Sequence, residues 1–184
     1  DNVYALASAE LNSVGSLVMN RWLVDFRKMR ETPVPADRYK DEYFEVDAAS
    51  WAGFLVSRRA VKDVGLPLKD LFIFWDDFEY SLRMRQKGTI LTVPASKIQH
   101  FFPGSPNTAK SRRWLQQWQP SNWRNYYYAR NYVYTYRKYG RPGISFYLTV
   151  CRGLVYGVVQ TLVFREFRFQ SMRIRLSGTV DGLR

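Results

Sequence analysis

Along the first hundred residues the hydrophobic and polar positions change period every few residues, as they do where short strands alternate with short helices. Val14 to Met19 is an apolar run of strand length, and Trp22 to Phe26 is a second. Lys28 to Asp41 holds Pro33, Pro35 and many charges, so it reads as a loop. Tyr43-Phe44-Glu45-Val46-Asp47 alternates with the period of two that a strand requires. Gly53-Phe54-Leu55-Val56 is continuously apolar and is expected to be a buried strand. Ser57 is placed to cap a helix over Arg58 to Val64, which Gly65 stops, with Pro67 beyond. A second helix is expected from Asp76 to about Lys87. Its acids fall in the first turn and Arg83, Arg85 and Lys87 towards its end, an order that suits the helix dipole, and Gly88 ends it. Thr89 to Val93 and Lys97 to Phe102 read as strands on either side of Pro94, with a polar loop from Pro103 to Lys110.

Beyond that point the period lengthens. Asn122 to Tyr139 is helical in pattern, and Gly140 with Pro142 ends it. Ile144 to Phe164 is apolar except for Arg152 and the polar Ser145, Thr149 and Gln160, a length sufficient to span a bilayer. The mid-run arginine and Gly143, Gly153 and Gly157 favour instead a helix lying in the membrane interface. Packing against the first region is the remaining alternative. From Arg165 to Arg175 arginines alternate with Phe167, Phe169, Met172 and Ile174.

Charge sharpens this division. Residues 111–184 hold 13 Lys and Arg against 2 acids, a net of +11, whereas residues 1–110 hold 15 against 14. The expected organisation is a near-neutral catalytic portion over 1–110 and a basic, aromatic helical region over 111–184. The second region suits an anionic surface, either lipid or nucleic acid. A hydrophobic content of 46% excludes a disordered chain, and the single Cys151 excludes a disulfide framework or a cysteine-rich zinc site. The chain opens on Asp1 rather than Met and is expected to be part of a longer protein.

The stretch with most chemistry is Trp75-Asp76-Asp77-Phe78-Glu79-Tyr80, followed by Ser81-Leu82-Arg83. Carboxylates crowded among aromatics repel one another and resist ionisation unless a cation or a hydrogen-bonded partner compensates, which is how a general base or a metal-proximal acid is made. Acids in a first helical turn can also do no more than satisfy the dipole. Here, however, the cluster follows an apolar run, at a strand-to-helix junction of the kind where clefts form. The only histidine, His100, falls at the end of a later strand; it is either a ligand or a side chain packed with Phe101 and Phe102.

Several spaced motifs together resemble a known family. They are Val46-Asp47, Trp51-Ala52-Gly53-Phe54, Val64-Gly65-Leu66-Pro67, the Phe72 to Arg83 segment, Pro94 and His100. In this order they resemble the C-terminal half of a family 2 inverting glycosyltransferase, and most closely the bacterial galactofuranosyl- and rhamnosyltransferases. Tyr126-Tyr127-Tyr128-Ala129-Arg130-Asn131 extends the resemblance. It implies an α/β fold: the C-terminal part of a GT-A, Rossmann-like mixed sheet followed by a helical region.

The resemblance also implies roles. Asp77 would be the catalytic base that takes the acceptor hydroxyl proton, with the second catalytic aspartate, Asp76, beside it shaping the site or holding the acceptor. Trp51 and Gly53 would bind the acceptor, His100 would be a ligand of Mg²⁺ or Mn²⁺, and Glu79 and Arg83 would be structural support, paired at i, i+4. The donor would be a nucleotide-diphosphate sugar and the acceptor a lipid-linked or polymeric glycan of the bacterial envelope. Such an enzyme would work at the cytoplasmic face of the membrane, bound peripherally or through one spanning segment. The chain has no Asp-X-Asp and no glycine-rich phosphate loop, so the nucleotide-binding half is expected to be missing. The galactofuranosyl members carry paired tryptophans, whereas Trp51 is followed by Ala52, which leaves rhamnose or another sugar open as the donor sugar. The alternative is a basic, aromatic module that binds membrane or nucleic acid without catalysis. Tyrosines interleaved with arginines suit single strands, but no nucleic-acid recognition motif is present.

Overall fold

The computed structural model describes residues 2–28, 30–100, 123–140, 143–163 and 169–184. Phe101, Phe102, the loop expected over Pro103 to Lys110 and the start of the Arg165 to Arg175 alternation lie outside the described residues. The chain divides into two compact units. The described residues of Asp1–Asp25, Arg30–Lys69 and Asp76–Ser105 form one, and those of Phe26–Met29, Asp70–Trp75 and Pro106–Arg184 form the other.

The first unit is built on β1 (Val3–Leu11), which pairs in parallel with β8 (Thr89–Gln99) along its whole length. On its other edge β1 pairs antiparallel with β7 (Phe54–Val56) at Ala5 to Ala7 and with β2 (Leu17–Val18) at Glu10 and Leu11. β5 (Phe44–Val46) closes the far side of β8, giving a mixed sheet. A smaller antiparallel sheet has the order β4 (Arg30–Pro33), β3 (Arg21–Asp25), β6 (Ala48–Ala49). Its register sets Arg21 opposite Ala49, which brings a cation to the start of the Ser50–Gly53 turn.

The parallel pairing of β1 and β8 requires a crossover, and it contains α1 (Arg58–Val64) and α2 (Asp76–Arg85). Ser57 Oγ accepts from the Ala60 N–H at 3.1 Å and Gly65 leaves α1 at φ 78°, a conformation that favours glycine. The core joins Tyr4, Ala5 and Ala7 of β1 to Val46, Ala60, Tyr80, Met84 and Ile90.

Several expectations are corrected here. Lys28 to Asp41 is not simply a loop, since it contains β4 and a 3₁₀ turn over Ala36–Lys40. β7 is not a buried strand: Leu55 is 68% exposed. Pro94 does not divide two strands either. β8 runs through it, and the ladder absorbs the missing donor as a register shift in which Ser8 pairs Val93 and Ala9 pairs Lys97. The second helix stops at Arg85, and the N–H groups of Lys87 and Gly88 both turn back to the Met84 carbonyl.

The second unit contains α3 (Arg124–Tyr139), α4 (Ile144–Val163) and α5 (Phe169–Leu183). Gly178 and Gly182, one turn apart on α5, let its backbone approach the carbonyls of Tyr126 and Arg130 on α3. Tyr126 donates its hydroxyl to Asp181 at 2.8 Å across the same pair. Asn131, fully buried, donates through Nδ2 to the carbonyls of Ile73 (2.9 Å) and Phe74 (2.8 Å). Phe74 and Trp75 both have positive φ (58° and 65°), and Trp75 packs edge-on against Tyr132 and Tyr136. Two consecutive non-glycine residues in that region cost about 1–3 kcal/mol each, so this turn needs the clamp that Asn131 supplies. Among the described residues no helix is long and apolar enough to cross a membrane.

Candidate active site

Asp76 and Asp77 open α2 in the first unit, where helix N–H groups favour negative charge. Both are partly buried, and the aromatics of this region pair with one another, Trp22 5.8 Å from Phe78 and Trp51 5.7 Å from Tyr80 between ring centres. Burial, and then the neighbouring Asp76 charge, push the Asp77 carboxyl up from 3.8 to about 6. The backbone N–H groups of Phe78, Trp51 and Asp77 pull it partly back, and the Phe78 N–H lies 2.8 Å from Oδ1. Asp77 is therefore placed to exchange a proton near neutral pH.

Trp51 belongs to the same cluster. Its indole Nε1–H donates to Asp76 Oδ2 at 2.6 Å, while 39% of its surface stays open to solvent. The residue thus touches both carboxylates: Asp76 through the ring and Asp77 through the main chain. Gly53 completes the turn, in which the Phe54 N–H returns to the Trp51 carbonyl at 3.2 Å. Its φ is 65°, and a Cβ there would lie 2.8 Å from Ser8 Cβ, so both the backbone conformation and the space require glycine.

Glu79 and Arg83 lie one turn on and meet at 3.0 Å, with Glu79 fully buried. Arg83 also donates to the carbonyls of Val64 and Leu66, and Tyr80 donates to that of Gly65. This group ties α2 to the exit of α1.

His100 follows β8, and its Nδ1 lies 3.0 Å from Glu10 Oε1. Glu10 had no place in the sequence reading, nor did Arg21, Asn20 or Ser50, yet the four form one network. Glu10 Oε2 accepts from Ser50 Oγ (2.9 Å) and Asn20 Nδ2 (3.2 Å), and Arg21 stands 3.9 Å away. Glu10 and Arg21 are each 1% exposed. Through Ser50, next to Trp51, this network links His100 to the aspartate pair. No local pattern announces it, because the members come from three distant segments; the only hint is an arginine opening the apolar run Trp22-Leu23-Val24.

With Nδ1 committed to Glu10, a metal would be met through Nε2 of His100. Among the described residues, however, no group of three or more His, Cys, Asp or Glu could hold a metal ion. These residues do not make a metal centre by themselves.

No protein-family model matches the chain. Over 105 residues it is 28% identical to the galactofuranosyltransferase GlfT2 of Mycolicibacterium smegmatis, covering 56% of this chain and 14% of that protein. Over 88 residues it is 30% identical to GlfT2 of Mycobacterium tuberculosis, covering 47% of this chain and 12% of that protein. A crystal structure of GalNAc-T7 with UDP, GalNAc and Mn²⁺ matches 72% of this chain and 29% of its own, at 18% identity and a TM-score of 0.38, too slight a likeness to carry weight. The chain is therefore similar over about half its length to galactofuranosyltransferases, and the match spans less than a sixth of those relatives.

Proposed function

We propose that this chain is the acceptor-side part of a GT-A, family 2 glycosyltransferase that transfers a sugar from a nucleotide-diphosphate donor with inversion. The observation that carries the reading is the Asp77 carboxyl, held at about 6 beside an open indole. A sugar hydroxyl is a poor nucleophile and needs a carboxylate to take its proton as it attacks. With a pKa near 6, Asp77 is about nine-tenths ionised at pH 7, yet basic enough to accept that proton. The acceptor oxygen forms its bond to the anomeric carbon from the face opposite the leaving group, and the nucleoside diphosphate departs with the bonding pair. The proton ends on Asp77.

In this reading Asp76, anchored by Trp51, and the Trp51 ring with Gly53 shape the acceptor subsite, since the C–H faces of a sugar stack on indole. Glu79 and Arg83 hold the helix. His100 is proposed to face a divalent metal, Mg²⁺ or Mn²⁺, whose other ligands and the nucleotide come from outside the described residues. The similarity to GlfT2 proteins favours galactofuranose as the sugar, with rhamnose the next candidate, and a lipid-linked or polymeric envelope glycan as acceptor.

The test is Asp77→Asn in the full-length enzyme, assayed with nucleotide-linked galactofuranose. Turnover should fall by about 100-fold or more, the usual share of a general base, while donor binding persists. Near-normal turnover would place the base elsewhere.

Peripheral attachment at the cytoplasmic membrane face is proposed alongside. It is supported by the net +11 of residues 111–184 and by the exposed Ile144, Leu148, Val155 and Val159 on α4. Co-sedimentation with anionic but not neutral vesicles is expected; preference for single-stranded RNA over both would favour the nucleic-acid module.

A further inference from the structure

We propose that Arg21 is a positioning residue for the aspartate pair: it fixes the Ser50–Gly53 turn so that Trp51 meets Asp76 and Asp77. The inference rests on the reading of Trp51 and Asp77 given above. One guanidinium holds the residues on both sides of Trp51. Arg21 Nη1 donates to Ser50 Oγ at 2.9 Å and to the Asn20 carbonyl at 2.6 Å. Nη2 donates to the Ala52 carbonyl at 2.8 Å and to the Ser8 carbonyl at 2.7 Å. Ser50 is held a second time by Glu10, so the turn is fixed to β1 as well as to β3. Only a planar fork can reach these four acceptors together; a lysine ammonium is a point charge that cannot.

Stability alone does not account for this arrangement. The ion pair with Glu10 is buried and loose, at 3.9 Å, a situation in which apolar replacement is often neutral or stabilising. Arg21 Nε is also buried with no acceptor among the described residues, which adds a desolvation cost. What the guanidinium gains is geometry. It holds the main chain on either side of the residue whose indole N–H sits 2.6 Å from Asp76 and whose backbone N–H serves Asp77.

The experiment compares Arg21→Lys, Ser50→Ala and Trp51→Phe in the full-length enzyme. The probes are nucleotide-linked galactofuranose and a synthetic galactofuranose disaccharide. Arg21→Lys should raise the acceptor KM and lower kcat, together about tenfold or more in kcat/KM, while the donor KM stays within about twofold. Ser50→Ala, which removes one hydrogen bond to Glu10 and one from Arg21, should show the same acceptor-only effect, smaller, with a slightly lowered unfolding midpoint, and it decides the matter where Arg21→Lys fails to fold. An unaltered acceptor KM in both variants, with Trp51→Phe impaired, would overturn the role of Arg21 and leave the site reading standing. Equal losses for donor and acceptor together with a lowered midpoint would reduce Arg21 to a structural part. An acceptor KM unaffected by Trp51→Phe would remove the site reading and this inference with it.

Discussion

Replacing Asp77 by Asn should make the protein more stable at neutral pH even as it removes activity. The carboxyl rises from 3.8 to about 6 chiefly because burial disfavours its charge. A folded-state pKa above the unfolded one means that the native form binds the proton more tightly. The stabilisation is therefore complete below about pH 3.8 and is lost as pH rises through about 6. Roughly two units at 1.36 kcal/mol each is about 3 kcal/mol. Asparagine carries no such proton and fills the same space, so the variant escapes the loss. Urea denaturation of both proteins at several values between about pH 4 and pH 7.5 reads this directly. The stability of Asp77→Asn relative to wild type should climb by about 2 kcal/mol across that range, the remainder being lost already below about pH 4. Comparing the two proteins at each pH cancels the other titrating groups. A difference that stays flat with pH, or that falls, would show that Asp77 is solvated like an ordinary surface acid and would remove the physical basis for its role.

Other substitutions test the surrounding structure. Arg83→Met should cost about 3 kcal/mol or more, because it leaves the fully buried Glu79 carboxylate without its guanidinium; thermal melts check it, and restoring the charge with Lys should recover only part. Asn131→Ala removes two donors to the Ile73 and Phe74 carbonyls at a turn with positive φ, and should cost about 2 kcal/mol in urea denaturation. Gly53→Ala combines a φ of 65° with a Cβ 2.8 Å from Ser8 Cβ, and should lower the unfolding midpoint by the equivalent of about 1–3 kcal/mol.

What could be read in the sequence was what depends on near neighbours. The Ser57 cap, the Gly65 exit and the first turn of acids at Asp76 are all local signals, and α1 and α2 start where those signals put them. The central strand β1 escaped notice. Val3 to Leu11 has alanine at every second position from Ala5 to Ala9, a residue with little strand preference, and it is a strand because β8, β7 and β2 pair with it. The aspartates were legible as candidates because aromatic residues frame them in sequence, and Trp51 only through the family resemblance of its motif. Glu10, Arg21 and Ser50 were not, since they meet only when β1, β3 and the turn after β6 are assembled, and a lone arginine opening an apolar run does not say what it pairs with.

The central claim is that Asp77 takes the acceptor proton, and the pH dependence of transfer tests it most directly. In the full-length enzyme, kcat/KM for transfer from nucleotide-linked galactofuranose to a galactofuranose oligosaccharide should be level above about pH 7. Below about pH 6 it should fall about tenfold per unit as Asp77 is protonated, and the residual activity of Asp77→Asn should lack that limb. An acid limb kept unchanged in Asp77→Asn, or none in the wild type down to about pH 5, would contradict the account.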